Sequence, residues 1–325
     1  MTPKTLGRLF RLSICSRSVS DATTLVLISL FCTVIPSFAQ DKQDEQRTTT
    51  AGHSAATLRD GSFHSPNLNR EMRYLVLLPA NYDASAQRYP TLFLLHGLYG
   101  DYQNWSTLTS LPKYARQLNL IIAMPDAGNS WYVNSATDPA DKYEDYFVKD
   151  FINEIDTHFR TIRSGSARAI AGLSMGGYAA VKFSLKYPSL FAYAGGISAA
   201  LDASADLDTT HPAFRDGLRK AFGEAGDPTR SRNDVFALVA HGEFGDLPYF
   251  YLDCGSDDMF LDVNRKFVAR LQLSRVPYEF HELQGNHEWS YWDGAIERFL
   301  NMLAGHNFAH RSIDAGTAPK IELKP

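Results

Sequence analysis

Cysteine is scarce in this chain, with three residues among 325. Two of them, Cys15 and Cys32, lie within the first 39 residues, so a chain cleaved after residue 39 would keep only Cys254. A single cysteine can form no disulfide within the chain and cannot build a cysteine-based metal site. We therefore expect the fold to depend on an apolar core, which the remaining residues, roughly 285 in number, can supply.

An excess of positive charge is also absent. The chain has 32 Lys and Arg residues against 36 Asp and Glu residues, and its formal net charge at pH 7 is -4. Removal of residues 1–39 would leave 28 basic against 35 acidic residues, because this segment carries four basic residues and one acidic residue. Such a balance argues against nucleic acid and anionic membrane surfaces as partners.

The N-terminal segment contains an apolar run that is too short to span a membrane. Residues 25–34 form this run, whereas a transmembrane helix needs roughly 20 apolar residues. Basic residues precede it, and Ser37 and Ala39 follow at positions that suit a signal peptidase. We predict a signal peptide over residues 1–39, cleavage near Ala39, and export to the periplasm or the exterior without stable membrane insertion. An uncleaved membrane anchor is the alternative.

The remaining sequence predicts one α/β domain, residues 61–305, between a polar flexible leader at 40–60 and a flexible tail at 306–325. Runs of β-branched and aromatic residues predict strands at 72–78, 91–95, 120–124, 167–173, 192–197, 249–254 and 278–283. Helical spacing predicts helices at 143–160, 175–187, 213–222, 260–273 and 292–303. Strands that alternate with helices, several as continuous apolar runs, indicate a mostly parallel sheet with helices on both faces.

The most informative motif is Gly172-Leu173-Ser174-Met175-Gly176, which joins the strand 167–173 to a helix. A strand, a sharp turn with a serine at its tip, and a helix form the nucleophile elbow of an α/β-hydrolase. Glycines on either side of the serine remove side chains that would collide where strand and helix nearly touch. The free amides of the helix would lie beside the oxygen that becomes charged. A glycine-rich turn that merely packs is the alternative.

A serine hydroxyl needs a base to take its proton and a carboxylate to orient that base. His287 is the candidate base, because it lies in the loop between the strand 278–283 and the last helix. Asp258 is the candidate acid, since it follows the strand 249–254 and gives the chain order serine, acid, histidine. Asp257 is the alternative acid, and we expect the aspartate that does not serve to cap the following helix.

The negative oxygen of a tetrahedral intermediate needs two backbone amides. Met175, directly after the serine, is one candidate. The second is Leu98, in the loop His96-Gly97-Leu98-Tyr99-Gly100 after the strand 91–95. For His96 itself we favour a buried structural role over direct chemistry.

Aromatic residues in the same loops are candidates for a substrate pocket. The candidates are Tyr99, Trp131, Tyr132 and Trp289. Trp289 lies two residues after the candidate base, and the pair at 131–132 lies in the loop after the strand 120–124. Packing in the core is the alternative for each of them. The segment 199–247, in which no strand is predicted, is either a small cap over this site or an ordinary surface excursion.

With these segments placed, residues 73–303 resemble the esterase D family of α/β-hydrolases. This family includes feruloyl, acetylxylan and tributyrin-type esterases, S-formylglutathione hydrolases and mycolyltransferases. The matching pieces are Leu94-Leu95-His96-Gly97, Met124-Pro125-Asp126, Ser130-Trp131-Tyr132, Gly172-Leu173-Ser174-Met175-Gly176-Gly177, Cys254-Gly255-Ser256-Asp257-Asp258 and Gly285-Asn286-His287. The resemblance implies that Ser174, Asp258 and His287 form a catalytic triad and that the Leu98 and Met175 amides form the oxyanion hole. It also implies acyl chemistry without a metal or an organic cofactor.

We therefore predict an exported serine carboxylesterase that hydrolyses short acyl esters or carbohydrate-linked esters through an acyl-enzyme. One alternative is an acyltransferase, in which a sugar hydroxyl replaces water. Another is an S-formylglutathione-type thioesterase, against which the predicted export argues. A non-catalytic binding protein is a further alternative, although all three triad positions are filled.

Overall fold

The fold is built on a sheet of eight strands in the order β1-β2-β4-β3-β5-β6-β7-β8. The computed structural model describes residues 56–205, 214–241 and 247–310. The strands are β1 (Thr57–Ser65), β2 (Arg70–Leu78), β3 (Thr91–Leu95), β4 (Ile121–Pro125), β5 (Arg168–Leu173), β6 (Tyr193–Ile197), β7 (Tyr249–Gly255) and β8 (Tyr278–Leu283). Strands β1, β2 and β4 pair antiparallel, whereas β4, β3 and β5 to β8 pair in parallel. All seven predicted strands and the mostly parallel sheet are confirmed.

Helices connect most of the strands. They are α1 (Asn104–Thr107), α2 (Leu111–Tyr114), α3 (Tyr143–Asp145), α4 (Ile152–His158), α5 (Met175–Lys186), α6 (Arg215–Phe222), α7 (Pro228–Arg232), α8 (Val235–His241), α9 (Leu261–Leu273) and α10 (Trp289–Gly305). The predicted helix at 143–160 consists of α3, a π-helical turn at Tyr146–Phe151, and α4. The other four predicted helices correspond to α5, α6, α9 and α10.

The apolar core lies on both faces of the sheet. Leu92 and Leu94 of β3 belong to one buried cluster together with Phe299 of α10. Phe93, between them, belongs to a second cluster with Phe183 of α5. Successive side chains of a strand point to opposite faces, so this alternation shows that helices cover both sides of the sheet. Burial of each such side chain contributes about 1.5–3 kcal/mol to stability.

Strand β1 was not predicted, and it shortens the leader. Residues 57–60, assigned by sequence to the flexible leader, pair with Leu75 to Leu78 of β2 in an antiparallel register. Strand β1 lies at the edge of the sheet, and its first four residues are exposed. Because an exposed edge strand can carry polar side chains, its sequence lacks the apolar pattern from which a strand is predicted. The predicted signal peptide, residues 1–39, lies outside the described residues.

The prediction of a flexible tail over residues 306–325 is wrong for its described part. Residues Phe308–His310 form a 3-10 turn, and the side chains of Phe308 and Ala309 are buried. The ring of Phe308 packs edge-on against Tyr193 at 5.2 Å, and the Ala309 carbonyl accepts from the Asn119 amide at 2.9 Å. These contacts pack residues 308–310 against the domain, whereas the sequence predicts them to be part of the tail. None of the helices in the described ranges is long and apolar enough to cross a membrane.

The segment 199–247 contributes α6, α7 and α8 in its described parts. Val235 and Val239 of α8 are fully buried in the cluster shared with α5, and the Tyr178 hydroxyl of α5 donates to the Asn233 carbonyl at 2.8 Å. Helix α8 therefore packs as part of the core. That residues 199–247 form a small cap over the site stays a prediction.

A buried ion pair joins α5 to α3. Lys182 is fully buried, and its Nζ donates to Glu144 Oε2 at 3.0 Å and to the Tyr132 carbonyl at 2.5 Å. Burial would raise the pKa of Glu144, but the charges of Lys182 and Lys186, with hydrogen bonds from Lys186 and Tyr187, lower it to about 2. Burial lowers the pKa of Lys182 to about 8, against the opposing effect of Glu144. The pair holds the helix that follows Ser174 to α3, and the bond to the Tyr132 carbonyl holds it to the segment before α3.

Cys254 is fully buried within β7. Burial raises the pKa of its thiol, and the carboxylates of Asp258 and Asp253 act in the same direction. The thiol is therefore protonated at neutral pH and has little reactivity.

Candidate active site

Ser174 occupies the turn between β5 and α5. Its φ is 53° and its ψ is -114°, a backbone conformation that residues other than glycine seldom adopt. A Cβ on Gly172 would lie 2.5 Å from the carbonyl carbon of Gly176, and a Cβ on Gly176 would lie 2.6 Å from the His96 oxygen. Both positions require glycine because backbone meets backbone there, as the motif predicts.

His287 connects Ser174 to Asp258 through hydrogen bonds. Ser174 Oγ lies 3.1 Å from His287 Nε2, and His287 Nδ1 lies 3.0 Å from Asp258 Oδ2. The arrangement is satisfied when Nδ1 carries the proton and donates to the carboxylate, because Nε2 can then accept from the serine hydroxyl. The three residues follow β5, β7 and β8, so the parallel strands bring their loops together at one edge of the sheet.

The structure distinguishes Asp258 from its neighbour Asp257. Asp258 faces the histidine, and its Oδ1 also accepts from the Phe260 amide at 2.9 Å. Asp257 is exposed, and its amide donates to the Gly285 carbonyl at 3.0 Å. The expectation that the remaining aspartate caps the next helix is wrong, since Phe260 occupies the cap position of α9 without a side-chain bond.

Asp258 is held as a carboxylate by its surroundings. Burial raises its pKa, but hydrogen bonds from His287, the Phe260 amide and the Ser198 hydroxyl outweigh this effect and lower it. Ser198 in turn accepts from the Trp292 indole Nε1 at 3.1 Å. The ring of Trp292 also packs edge-on against the His287 ring at 4.9 Å. Ser198 was not predicted, and nothing in its sequence surroundings distinguishes it from other buried serines.

The loop after β3 borders the serine. A Cβ on Gly97 would lie 3.5 Å from the Ser174 Cβ, so the Leu98 amide follows a point of close approach. The loop is fixed by a bond from the Tyr99 amide to Asn129 Oδ1 at 2.7 Å. On the other side, Met175 is the first residue of α5, and its amide has no helical carbonyl four residues earlier. The two predicted amides thus belong to segments that flank the serine hydroxyl.

His96 is buried, and both its ring nitrogens are bonded. Nε2 accepts from the Ala127 amide at 3.0 Å, so Nδ1 carries the proton and donates to the Gly97 carbonyl at 2.8 Å. Burial lowers the pKa of this imidazole, which keeps it neutral. The ring joins the loop after β3 to the loop after β4, in agreement with the structural role favoured from the sequence.

A pocket of ≈ 360 Å³ opens above the serine. Its lining residues are Gly97, Leu98, Tyr99, Gly100, Asn104, Leu173, Ser174, Phe214, His287, Trp289 and Trp292. Tyr99 and Trp289 therefore lie where the sequence predicts them. Phe214 and Asn104 were missed. The only sequence signal for Phe214 was its place in the segment 199–247, directly before α6.

Trp131 and Tyr132 do not line this pocket, which corrects the prediction. The Trp131 ring packs against Tyr178 and Phe222 at 6.2 Å from each. The Tyr132 ring is fully buried and packs against His96 at 5.8 Å. Both rings turn into the core, so the alternative of core packing is the correct one for them. Within the described residues, no group of His, Cys, Asp and Glu is arranged to hold a metal ion.

Comparison with known proteins shows similarity to esterases and other serine hydrolases. A family model described as Putative esterase matches residues 65–303. An acetyl esterase of Caldicellulosiruptor saccharolyticus is 28% identical over 262 residues, which cover 75% of this chain and 96% of that protein. The fluorophosphonate-binding serine hydrolase FphF of Staphylococcus aureus matches at a TM-score of 0.69 with 29% identity, over 77% of this chain and 99% of that chain. The S-formylglutathione hydrolase FrmB of Staphylococcus aureus matches at 0.67 with 28% identity, over the same shares of the two chains.

These matches confirm the resemblance to esterase D enzymes and the α/β-hydrolase fold. The family model spans the sheet from the last residue of β1 to α10 and includes every residue of the hydrogen-bonded chain at Ser174. This chain therefore belongs to that esterase family and is an ester-hydrolysing enzyme.

Proposed function

We propose that the enzyme is an exported serine carboxylesterase in which Ser174, His287 and Asp258 act as the catalytic triad. The observation that carries this proposal is the hydrogen-bonded chain from Ser174 Oγ through His287 to Asp258, at 3.1 Å and 3.0 Å, which ends in a pocket. His287 Nε2 takes the hydroxyl proton as Ser174 Oγ attacks the ester carbonyl. The imidazolium is stabilised by Asp258, whose own pKa lies below the usual value.

The negative oxygen of the tetrahedral intermediate is stabilised by the amides of Leu98 and Met175. His287 then gives its proton to the departing alcohol, and the acyl group remains on Ser174 Oγ. Water attacks this acyl-enzyme while His287 accepts the water proton, and collapse of the second intermediate returns the proton to Ser174. The carboxylic acid leaves, and the starting state is restored.

The proposed substrates are short acyl esters and carbohydrate-linked esters. A pocket of ≈ 360 Å³ with Trp289, Trp292 and Phe214 in its lining suits a small acyl group beside aromatic surface. The acetyl esterase among the relatives supports a short acyl chain. Export is supported by the basic start, the apolar run at 25–34 and the small residues before position 40.

Thioester cleavage is the second candidate activity, because an S-formylglutathione hydrolase matches this chain at 28% identity. The same triad can attack a thioester carbonyl, so the two activities differ in the leaving group alone. Hydrolysis of S-formylglutathione and of 4-nitrophenyl acetate, measured side by side, would rank them. Addition of a sugar acceptor, with analysis for acylated sugar, would reveal acyl transfer in place of hydrolysis.

The proposal is tested by 4-nitrophenyl acetate hydrolysis and by labelling with a fluorophosphonate probe. We expect Ser174→Ala and His287→Ala to lower kcat by about 10³-fold or more, and Ser174→Ala to abolish labelling. His281→Ala is the matched control, since His281 lies in β8 and packs against Tyr251 at 5.1 Å. The control should keep the wild-type kcat. Labelling that persists in Ser174→Ala would contradict the proposal.

Ser198 should act as a positioning residue for the acid. We expect Ser198→Ala to lower kcat about tenfold with little change in KM, because a hydrogen bond to a charged group contributes about 1.5–3 kcal/mol. Ser256→Ala is the control, since the Ser256 hydroxyl is exposed and donates to Asp257 at 3.3 Å. Steady-state kinetics on both variants measures the effect. A wild-type kcat in Ser198→Ala would show that the acid is held without this hydroxyl.

A further inference from the structure

A second cavity lies beside the catalytic pocket. Its volume is ≈ 280 Å³. Its lining residues are Arg70, Asn129, Ser130, Val133, Ser135, Asp141, Tyr143, Gly217, Lys220 and Ala221. None of them belongs to the proposed catalytic machinery. They come from the start of β2, the segment before α3, the first residue of α3, and α6, so the cavity forms where the segment 199–247 meets the main domain.

Two cations and one carboxylate line this cavity. Arg70 Nη2 donates to Asp141 Oδ1 at 2.5 Å, and Lys220 Nζ donates to Asp141 Oδ2 at 2.6 Å. Burial raises the pKa of Asp141, but the bonds and charges of Lys220 and Arg70 lower it, so this group is ionised at neutral pH. Asp138 lies 3.7 Å from Lys220 Nζ but is not part of the lining. With Asp138 counted, the charges around the cavity balance, so the lining would attract an anion through unused N–H donors of Arg70 and Lys220 rather than through a net charge.

The polar groups of the lining offer more donors than acceptors. Asn129 Oδ1 already accepts from the Tyr99 amide, and Ser130 Oγ already accepts from the Tyr132 amide at 3.0 Å. Each oxygen of Asp141 already accepts from one cation. Arg70 has five N–H groups and Lys220 has three, so most of these donors remain after the bonds to Asp141. An acceptor-rich, negatively charged group satisfies such a lining.

The lining of this cavity meets the lining of the catalytic pocket at two places. The Tyr99 amide, in the catalytic pocket lining, donates to Asn129 of the second cavity at 2.7 Å. Phe214 lines the catalytic pocket, and Gly217 and Ala221 line the second cavity. A helix rises 1.5 Å per residue, so these positions are separated by about 5–10 Å along α6. This span is the length of a medium-sized ester.

We propose that the cavity between Arg70 and Lys220 is a subsite for the anionic end, a carboxylate or a phosphate, of an extended ester whose carbonyl is bound at Ser174. The inference rests on the proposed function, since it assigns a substrate class to the same active site. Charge-assisted bonds from both cations hold the anionic end. The distance to Ser174 Oγ then selects esters of matching length.

The test compares esters that differ in one terminal charge. The probes are mono-4-nitrophenyl esters of glutaric, suberic and sebacic acid, each beside its neutral methyl ester. Analogues with a terminal phosphate distinguish the two anions, and acetates of ω-hydroxy acids, followed by pH-stat, place the charge on the alcohol side. In at least one of these series, we expect the wild type to prefer the charged ester about tenfold in kcat/KM at the matching length.

The variants assign this preference to the cavity. Lys220→Gln and Arg70→Gln should each lose about tenfold in kcat/KM on the charged ester through KM, with unchanged kinetics on the neutral ester. Arg219→Gln is the matched control, because Arg219 lies on the same helix, bonds to Glu224 at 2.8 Å and does not line the cavity. An equal loss in Arg219→Gln would show a general effect of charge and would overturn the subsite.

The remaining outcomes separate the subsite from the proposed function. Hydrolysis of 4-nitrophenyl acetate without any preference for charged esters overturns the subsite alone. Absence of hydrolysis of every ester overturns the proposed function. Calorimetry of suberate and of inorganic phosphate with Ser174→Ala does not depend on turnover. Binding that weakens about tenfold when Lys220→Gln is added supports the subsite, and absence of binding overturns it.

Discussion

Replacement of Asp258 by asparagine should lower kcat for ester hydrolysis by about 10⁴-fold. The side-chain amide introduced there would donate to His287 Nδ1, which lies 3.0 Å from the present carboxylate oxygen, so the imidazole would carry its proton on Nε2. Nε2 faces the Ser174 hydroxyl at 3.1 Å and could then no longer accept its proton. Loss of the negative charge also removes the stabilisation of the imidazolium. Pre-steady-state and steady-state kinetics with 4-nitrophenyl acetate measure the effect.

Asp257→Asn is the matched control for this substitution, because it makes the same chemical change one residue earlier. The Asp257 side chain is exposed and interacts with Ser256 at 3.3 Å, away from the histidine. Wild-type kcat is expected. The assignment of the acid is overturned if the loss occurs in Asp257→Asn and Asp258→Asn retains activity. Both variants should melt within a few degrees of the wild type, which separates lost chemistry from lost structure.

Replacement of Glu144 by glutamine should lower the free energy of unfolding by about 3–5 kcal/mol. The change removes the only carboxylate oxygen bonded to Lys182 Nζ among the described residues, at 3.0 Å, and leaves a fully buried ammonium without its counter-charge. For a domain of this size the melting temperature should fall by about 10 °C. Thermal and urea denaturation at pH 7 measure the loss.

The pKa of Glu144 predicts how the stability difference between the wild type and Glu144→Gln depends on pH. The pKa of this carboxylate is lowered to about 2 in the folded chain from 4.5, so its contribution is complete above pH 4.5 and is lost as the pH falls towards 2. The gap in stability between the wild type and Glu144→Gln should therefore narrow in acid. Asp145→Asn is the control, since its partner Lys149 is exposed and such pairs contribute about 0–1 kcal/mol. A gap that is constant from pH 7 to pH 3 would contradict this account.

The parts of the fold that sequence predicts well are those buried on both faces. Residues 92–95 and 169–173 are buried at every position, and such short apolar runs bounded by polar residues indicate strands of a parallel sheet. Strand β1 fails this criterion, because an edge strand with exposed side chains has the composition of a loop. Its pairing depends on β2, which is a tertiary contact that local pattern does not contain.

The residues of the candidate site also divide into those that the local sequence predicts and those that only tertiary packing places. Ser174, Asp258 and His287 could be predicted, because their positions depend on turns with strict backbone requirements and on a fixed chain order. Trp131 could not be placed, because aromatic residues suit a pocket and a core equally well, and only packing decides. Ser198 and Phe214 reach the site through the spatial arrangement of β6, β7 and α6, which sequence spacing does not show.

The burial of Cys254 has a practical consequence for labelling experiments. In a chain cleaved after residue 39 it is the single cysteine, and its raised pKa keeps the thiol unreactive towards maleimides at pH 7. A cysteine introduced at an exposed position of α6, such as Asp216→Cys, would then carry a fluorophore or spin label at one defined place. No background substitution would be needed, and the mobility of α6 could be followed through this label during turnover in the otherwise native enzyme.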